Sequence, residues 1–219
     1  MAELPRAGPY DRLADGMLTL RRLGIAWAKV WLGGRGTLGR QEPIGVTEPG
    51  AIHLMQWIEA NAQAFLPPVA NKEVFPESEF IFQIIRGPNA RNDFHIDPGD
   101  EIFYQLAGDI TVQIMDDGKR RDVAVREGEV FLCRAGTPHC PIRPPATWGL
   151  VIERKRRPDE LDRLAWFCDR CQVKLHEVAF TCENIEAQLR EAIQTFNASS
   201  SLRTCKACGA VLPVPVGAR

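Results

Sequence analysis

Between Glu79 and Arg156 the sequence breaks into short runs in which apolar residues recur at every second position: Phe80, Phe82 and Ile84; Phe103, Gln105 and Ala107; Ile110, Val112 and Ile114; Val123 and Val125. Two further apolar runs follow, Val130 to Leu132 and Leu150 to Ile152. A period of two puts alternate side chains on one face, which suits a half-buried strand and is incompatible with a helix. Asp97-Pro98-Gly99, Ala107-Gly108-Asp109, Asp117-Gly118, Glu127-Gly128 and Ala135-Gly136 stand between the runs as turn signals. Many short strands at even spacing predict a mainly β chain, folded as a sandwich or small barrel of the jelly-roll kind.

The flanks read differently. From Ala51 to Phe65, Leu54, Ile58, Ala62 and Phe65 recur at helical spacing and Pro67-Pro68 follows, so one short amphipathic helix is expected before the strands. Residues 1–50 are dense in breakers, with only Leu18 to Leu32 suited to regular structure, and form an N-terminal extension of unknown role. Residues 51–157 make the β domain. In 158–219, two Cys-x-x-Cys pairs bracket a helix lined by Ile185, Leu189, Ile193 and Phe196, which predicts a small metal-stapled knuckle rather than a second independent core.

Composition excludes several function classes. A formal charge of −1 leaves no basic surplus for nucleic acid. Around the knuckle, Arg163, Arg170, Lys174, Arg203 and Lys206 are interleaved with Asp159, Glu160, Asp162, Asp169, Glu177 and Glu183, so no basic stripe forms. No run approaches the roughly 18 apolar residues of a membrane span, and the opening MAELPRAGPYDR lacks the order of a secretion signal, so a cytoplasmic protein is expected. Cys168-x-x-Cys171 and Cys205-x-x-Cys208 supply four thiolates for a tetrahedral metal with no open position, hence a structural one, and both zinc and iron suit four sulfurs. Cys133, Cys140 and Cys182 lack partner spacing and read as small packing residues.

The chain has only four histidines, and His95 and His139 fall at predicted strand edges. A lone histidine there is usually structural. Here, however, Glu101 follows His95 beyond the Asp97-Pro98-Gly99 turn, where a hairpin returns its carboxylate towards the imidazole. Two imidazoles and one carboxylate with open positions suit iron(II) oxygen chemistry. The spacing resembles both halves of the cupin motif: His95, Asp97 where a second histidine is usual, Glu101 and Gly108; then Gly128, Arg134, Gly136 and His139. Arg91 lies four residues before His95 and Arg143 four after His139, which brings two guanidinium groups near the metal to hold a carboxylate. Glu153, beside the apolar run Leu150-Val151-Ile152, is an ionisable group where burial is costly.

The segments LPPVANKEVF, RGPNARNDFHIDPGDEIFYQLAG, EGEVFLCRAGTPHCPIRP, LVIERKR, WFCDRC and CKACG resemble the bacterial 3-hydroxyanthranilate 3,4-dioxygenase family, from about Ala51 to Pro213. The resemblance implies a cupin jelly-roll in which His95, Glu101 and His139 hold catalytic iron(II) while Arg91, Arg143 and Glu153 contact substrate or oxygen. Asn71 matches a pocket-lining position. It implies further that Cys168, Cys171, Cys205 and Cys208 hold a second, rubredoxin-like iron, and that the protein is a homodimer acting on a small aromatic amino acid and O2. The expected reaction opens the ring of 3-hydroxyanthranilate to 2-amino-3-carboxymuconate semialdehyde, which cyclises to quinolinate, for NAD synthesis or aromatic degradation. Two alternatives stay open: a non-enzymatic cupin that senses an aromatic acid, and a dioxygenase for a related aminophenol or carboxylated diol.

Overall fold

A computed structural model describes residues 10–12, 18–20, 45–46, 50–65 and 70–215. The chain divides into two units, 1–42 and 43–219. In the first, β1 (Tyr10–Arg12) and β2 (Leu18–Leu20) pair antiparallel. The rest of the Leu18–Leu32 stretch, and the Pro67-Pro68 stop, lie outside the described residues.

In the second unit α1 (Leu54–Ala60) is followed by a 3-10 turn, Ala62–Ala64, so the expected helix is shorter than its apolar spacing suggests. Asn61 caps it, its backbone N–H and its side-chain amide both donating to the Trp57 carbonyl, at 3.1 and 2.8 Å. The strands then run β3 (Asn71–Glu73), β4 (Phe80–Arg86), β5 (Phe94–Ile96), β6 (Glu101–Ala107), β7 (Ile110–Asp116), β8 (Lys119–Val125), β9 (Val130–Cys133), β10 (His139–Ile142), β11 (Trp148–Arg154), β12 (Asp162–Phe167) and β13 (Lys174–Phe180). α2 (Ile185–Ala198), capped by Asn184, and α3 (Ser200–Arg203) follow.

Two antiparallel sheets result, a larger one in the order β13-β12-β5-β10-β7-β8 and a smaller one in the order β3-β4-β11-β6-β9. They face each other across a core in which Phe103 and Val151 of the smaller sheet meet Ile110, Val112, Ile114 and Val125 of the larger. This is the mainly β sandwich that the alternation predicts. The Asp117-Gly118 signal forms the two-residue turn of the β7–β8 hairpin, with φ of 48° and 74°, the primed-turn geometry that matches strand twist.

Alternation located the strands but not their faces. On β4 the residues that look inward are Ile81, Gln83 and Ile85, whereas Phe82 and Ile84 pack outward against α1 with Ile58, Phe65 and Leu150. Both faces of β4 are covered, so both carry apolar groups.

The C-terminal region carries the expected four-cysteine knuckle and its helix, and it also contributes strands to the sandwich. β12 pairs with β5, opposing Leu164 to His95, and so continues the larger sheet. Residues directly opposed across a ladder share a face, and α2 lays Leu189, Ile193 and Phe196 on Leu164 and Trp166 of that same face. The hydrophobic cluster of this region is built on strands it shares with the sandwich, so it is not a second independent core.

A glycine fixes the corner where β4 leaves the smaller sheet. A Cβ on Gly87 would lie 2.1 Å from the Pro144 carbonyl oxygen and 2.3 Å from Thr147 Oγ1. Backbone cannot yield as a side-chain tip does. Gly87→Ala is expected to lower stability by about 1–3 kcal/mol, read as a fall in denaturant midpoint with an unchanged slope.

Candidate metal centre and active site

β5 and β10 pair with His139 directly opposite His95, which puts both imidazoles on the inner face of the larger sheet. Glu101, first residue of β6, reaches them from the smaller sheet. Its Oε1 lies 3.1 Å from His139 Nε2 and 3.4 Å from His95 Nδ1. All three residues are buried, and one ligand atom from each falls within 4.8 Å of the others.

The outer nitrogen of each ring is already held. His95 Nε2 is 2.7 Å from Asp162 Oδ1, and His139 Nδ1 is 3.0 Å from the Thr137 carbonyl. A proton on each of those nitrogens leaves His95 Nδ1 and His139 Nε2 as bare lone pairs aimed at Glu101, the arrangement that orients metal-binding histidines. Burial would depress the His95 pKa, yet the hydrogen bond to Asp162 and the nearby Glu101 carboxylate outweigh it and raise it to about 9. Burial likewise disfavours the Glu101 carboxylate, but His139 and then His95 carry it well below its ordinary range. Glu101 Oε1 is nevertheless a buried oxygen with no hydrogen-bond donor. A cation between the three side chains satisfies that oxygen and both lone pairs, so the residues fit a metal.

The remaining expected residues fall into two groups. Glu153 sits on β11 opposite Glu101, on the inward face. Burial, reinforced by the Glu101 charge, pushes its carboxyl up to about 8 against the pull of Arg156. Arg143 follows β10, its backbone N–H donating to Asn89 Oδ1 at 2.9 Å. The side chain crosses the interior over Gly149 to Gln105 Oε1, at 3.4 Å from Nη1. Among the described residues no carboxylate pairs with it, and its Nε has no acceptor. Burial, then repulsion from Arg91, lowers its pKa to about 10.

Arg91 behaves otherwise. Its Nε and Nη2 donate to Asp93 Oδ1 and Oδ2 at 3.0 and 2.6 Å, so its fork is already filled. Asn71, on β3, donates to Gln83 Oε1 at 3.2 Å and lines a cavity of about 480 Å³ with Ile81, Gln83 and Arg156. Sequence reasoning missed Asp162, Asn89, Gln105 and Arg156, polar residues whose links to His95, Arg143 and the buried Asp97 are made only by the fold. The signal available was Arg156 itself, inside the LVIERKR segment.

The four cysteines converge as expected. Sγ of Cys168 and Cys208, and of Cys171 and Cys205, are 3.6 Å apart, far longer than a disulfide and close to the edge of about 3.8 Å that a tetrahedron with 2.3 Å metal–sulfur bonds requires. The two halves are built alike. Gln172 N–H donates to the Cys168 carbonyl and Gly209 N–H to that of Cys205, both at 2.9 Å, and both donors have positive φ, 62° and 73°. Backbone N–H groups of Cys208 and Ala207 point at Cys205 and lower its thiol to about 7, favouring the thiolate a metal needs.

The fold and the triad together describe a cupin-like sandwich in which two histidines and one glutamate are placed so that they could hold a metal ion. The chain belongs to the 3-hydroxyanthranilic acid dioxygenase family, whose sequence profile matches residues 46–197. Proteins named 3-hydroxyanthranilate 3,4-dioxygenase are similar to it along most of their length. That of Bacillus thuringiensis (strain Al Hakam) is 47% identical over 76% of this chain and 94% of its own. The Xanthomonas campestris pv. campestris (strain B100) protein is 44% identical over 75% and 93%. That of Neurospora crassa is 41% identical over 72% and 87%. No described helix is long and apolar enough to cross a membrane.

Because the thiolate set ties β12 to the segment after α3, Cys168→Ser and Cys205→Ser are each expected to abolish metal at that site and lower the melting midpoint. Metal uptake at His95, Glu101 and His139 should persist, as measured by metal analysis of each variant alongside a thermal scan.

Proposed function

We propose that the chain is an iron(II)-dependent dioxygenase that opens the ring of 3-hydroxyanthranilate, with His95, Glu101 and His139 as the iron ligands. The observation that carries this reading is Arg143, a buried guanidinium without a carboxylate partner among the described residues, in the same interior as an open-faced metal triad. An unpaired buried cation is costly, and a substrate carboxylate relieves that cost.

In this reading Arg143 binds the ring carboxylate with paired hydrogen bonds, and Arg91, held by Asp93, adds positive potential beside it. Asn71 lines the approach. The vicinal hydroxyl and amino groups of the substrate then face the triad. Glu153, whose carboxyl burial raises to about 8, accepts a proton from those groups and makes the ring electron-rich. Iron(II), when bound, supplies the electron transfer to dioxygen that no side chain here can. Both oxygen atoms enter the product as the bond between the hydroxyl-bearing carbon and its neighbour away from the amino group breaks. The semialdehyde then closes to quinolinate with loss of water.

The name of the family and of its curated relatives supports the same substrate, and the resemblance supports a homodimer. Four free thiols acting as ligands suit a reducing compartment such as the cytoplasm. Iron is our assignment for the four-cysteine site as well, zinc being the other metal that suits four sulfurs.

The test is anaerobic reconstitution with iron(II), then addition of oxygen and 3-hydroxyanthranilate while the semialdehyde absorbance is followed. Its appearance and decay to quinolinate are expected, and bound iron without oxygen uptake would overturn the reading. Arg143→Gln should raise KM by about 10- to 100-fold, the loss of one charge-assisted contact. Gly149→Ala should act in the same direction, since its Cβ would lie 2.6 Å from Arg143 Nη1.

A further inference from the structure

Four buried carboxylates crowd the interior around His95 and His139: Asp97, Glu101, Glu153 and Asp162. Such a cluster disfavours its own ionisation unless cations lie among it. Glu101 faces the two imidazoles. The other three converge on one side chain. Arg156, with its side chain only 4% exposed, places Nη1 at 2.7 Å from Glu153 Oε2, Nη2 at 2.8 Å from Asp97 Oδ2 and at 2.6 Å from Asp162 Oδ1, and Nε at 2.8 Å from Asp162 Oδ2. Asp162 Oδ1 is the same oxygen that meets His95 Nε2.

We propose that Arg156 is a positioning residue for the reaction: one guanidinium sets the His95 imidazole through Asp162 and, directly, the place and charge of Glu153. The inference rests on the reading of His95 as a metal ligand and Glu153 as a proton acceptor. The guanidinium is planar, so its nitrogens cannot move independently. Asp162 takes a paired fork on one edge, which fixes the carboxylate plane and thereby the direction of the oxygen that His95 meets. The opposite nitrogen is left pointing at Glu153. The metal ligand and the proton acceptor, on strands of different sheets, are thus referred to a single rigid group. A lysine supplies the charge without the fork, so it neutralises the cluster but does not align it. Neighbouring Arg154 has no such role, since it spends its guanidinium on Glu160 at the surface.

The experiment compares Arg156→Lys, Asp162→Asn and, as a control, Arg154→Lys in the full chain. Three quantities are read: iron(II) affinity at the triad, from the high-spin nitrosyl signal against a competing chelator; kcat per bound iron with KM for 3-hydroxyanthranilate; and the melting midpoint. Arg156→Lys is expected to weaken iron binding about 10- to 100-fold, the usual cost of disturbing the partner of a metal-binding histidine, and to lower kcat per bound iron while KM moves far less. Asp162→Asn should share the loss of iron affinity and keep more of kcat per bound iron, because Glu153 retains its partner. A general loosening would lower the midpoint alone. Iron affinity and kcat per bound iron in Arg156→Lys equal to those of Arg154→Lys would overturn the proposal, whatever the midpoint. If Arg156→Lys does not fold, unchanged iron affinity in Asp162→Asn overturns it. Wild-type protein that binds iron but turns nothing over defeats the proposed function instead, and the iron affinities then decide the role of Arg156.

Discussion

The direct opposition of His95 and His139 across the β5–β10 ladder, with Glu101 facing them from the other sheet, is the arrangement on which the rest of the site depends. Facing sheets of a sandwich stand about 10 Å apart, a gap that side chains from both sides must fill. Here, at one place, they fill it with two imidazoles and a carboxylate instead of apolar groups. That choice obliges everything nearby: each imidazole needs a partner on its outer nitrogen, and each further charge needs a counter-charge. Apolar packing resumes one layer away, where Phe103 lies edge-on to the His139 ring and touches Phe131.

The two interior arginines show how the same chemistry is put to opposite uses. Arg156 is saturated by three carboxylates and gains more from them than burial costs it, so its pKa is raised. Arg143 has no such partner, and burial lowers it. A saturated guanidinium holds a framework; an unsaturated one has binding capacity to spare. Arg91 is of the first kind locally, its fork closed by Asp93, although it stands close enough to Arg143 to repel it. The requirement for an anionic ligand therefore falls chiefly on one residue.

Much of this was legible in the chain order. Alternation from Phe80 to Ile152 marked the strands, the Asp117-Gly118 turn was read correctly, and the spacing of His95, Glu101 and His139 and of the four cysteines brought together groups that do meet. Less legible was α1, which stops at Asn61, whose backbone and side-chain amides share the Trp57 carbonyl. The faces of β4 could not be read either, since a strand covered on both sides has no polar face to betray its orientation. That β12 joins the larger sheet is not legible in the sequence either, because it does so by pairing with β5, some seventy residues earlier in the chain.

What the sequence by itself determined is the set of local periodicities, the turn residues that interrupt them and the ligand types at intervals a metal can use, because these depend on neighbours within a few residues. What only the tertiary structure decided is which buried charges share a partner. Glu153 and Asp162 flank Arg156 in the chain while Asp97 lies far earlier, and nothing in their spacing tells that one guanidinium serves all three. Nor does spacing tell that Arg91 is engaged while Arg143 is not. Electrostatic partnership inside a protein is set by distances of a few ångströms and by exclusion of water, and both come into being only when the two sheets close on each other.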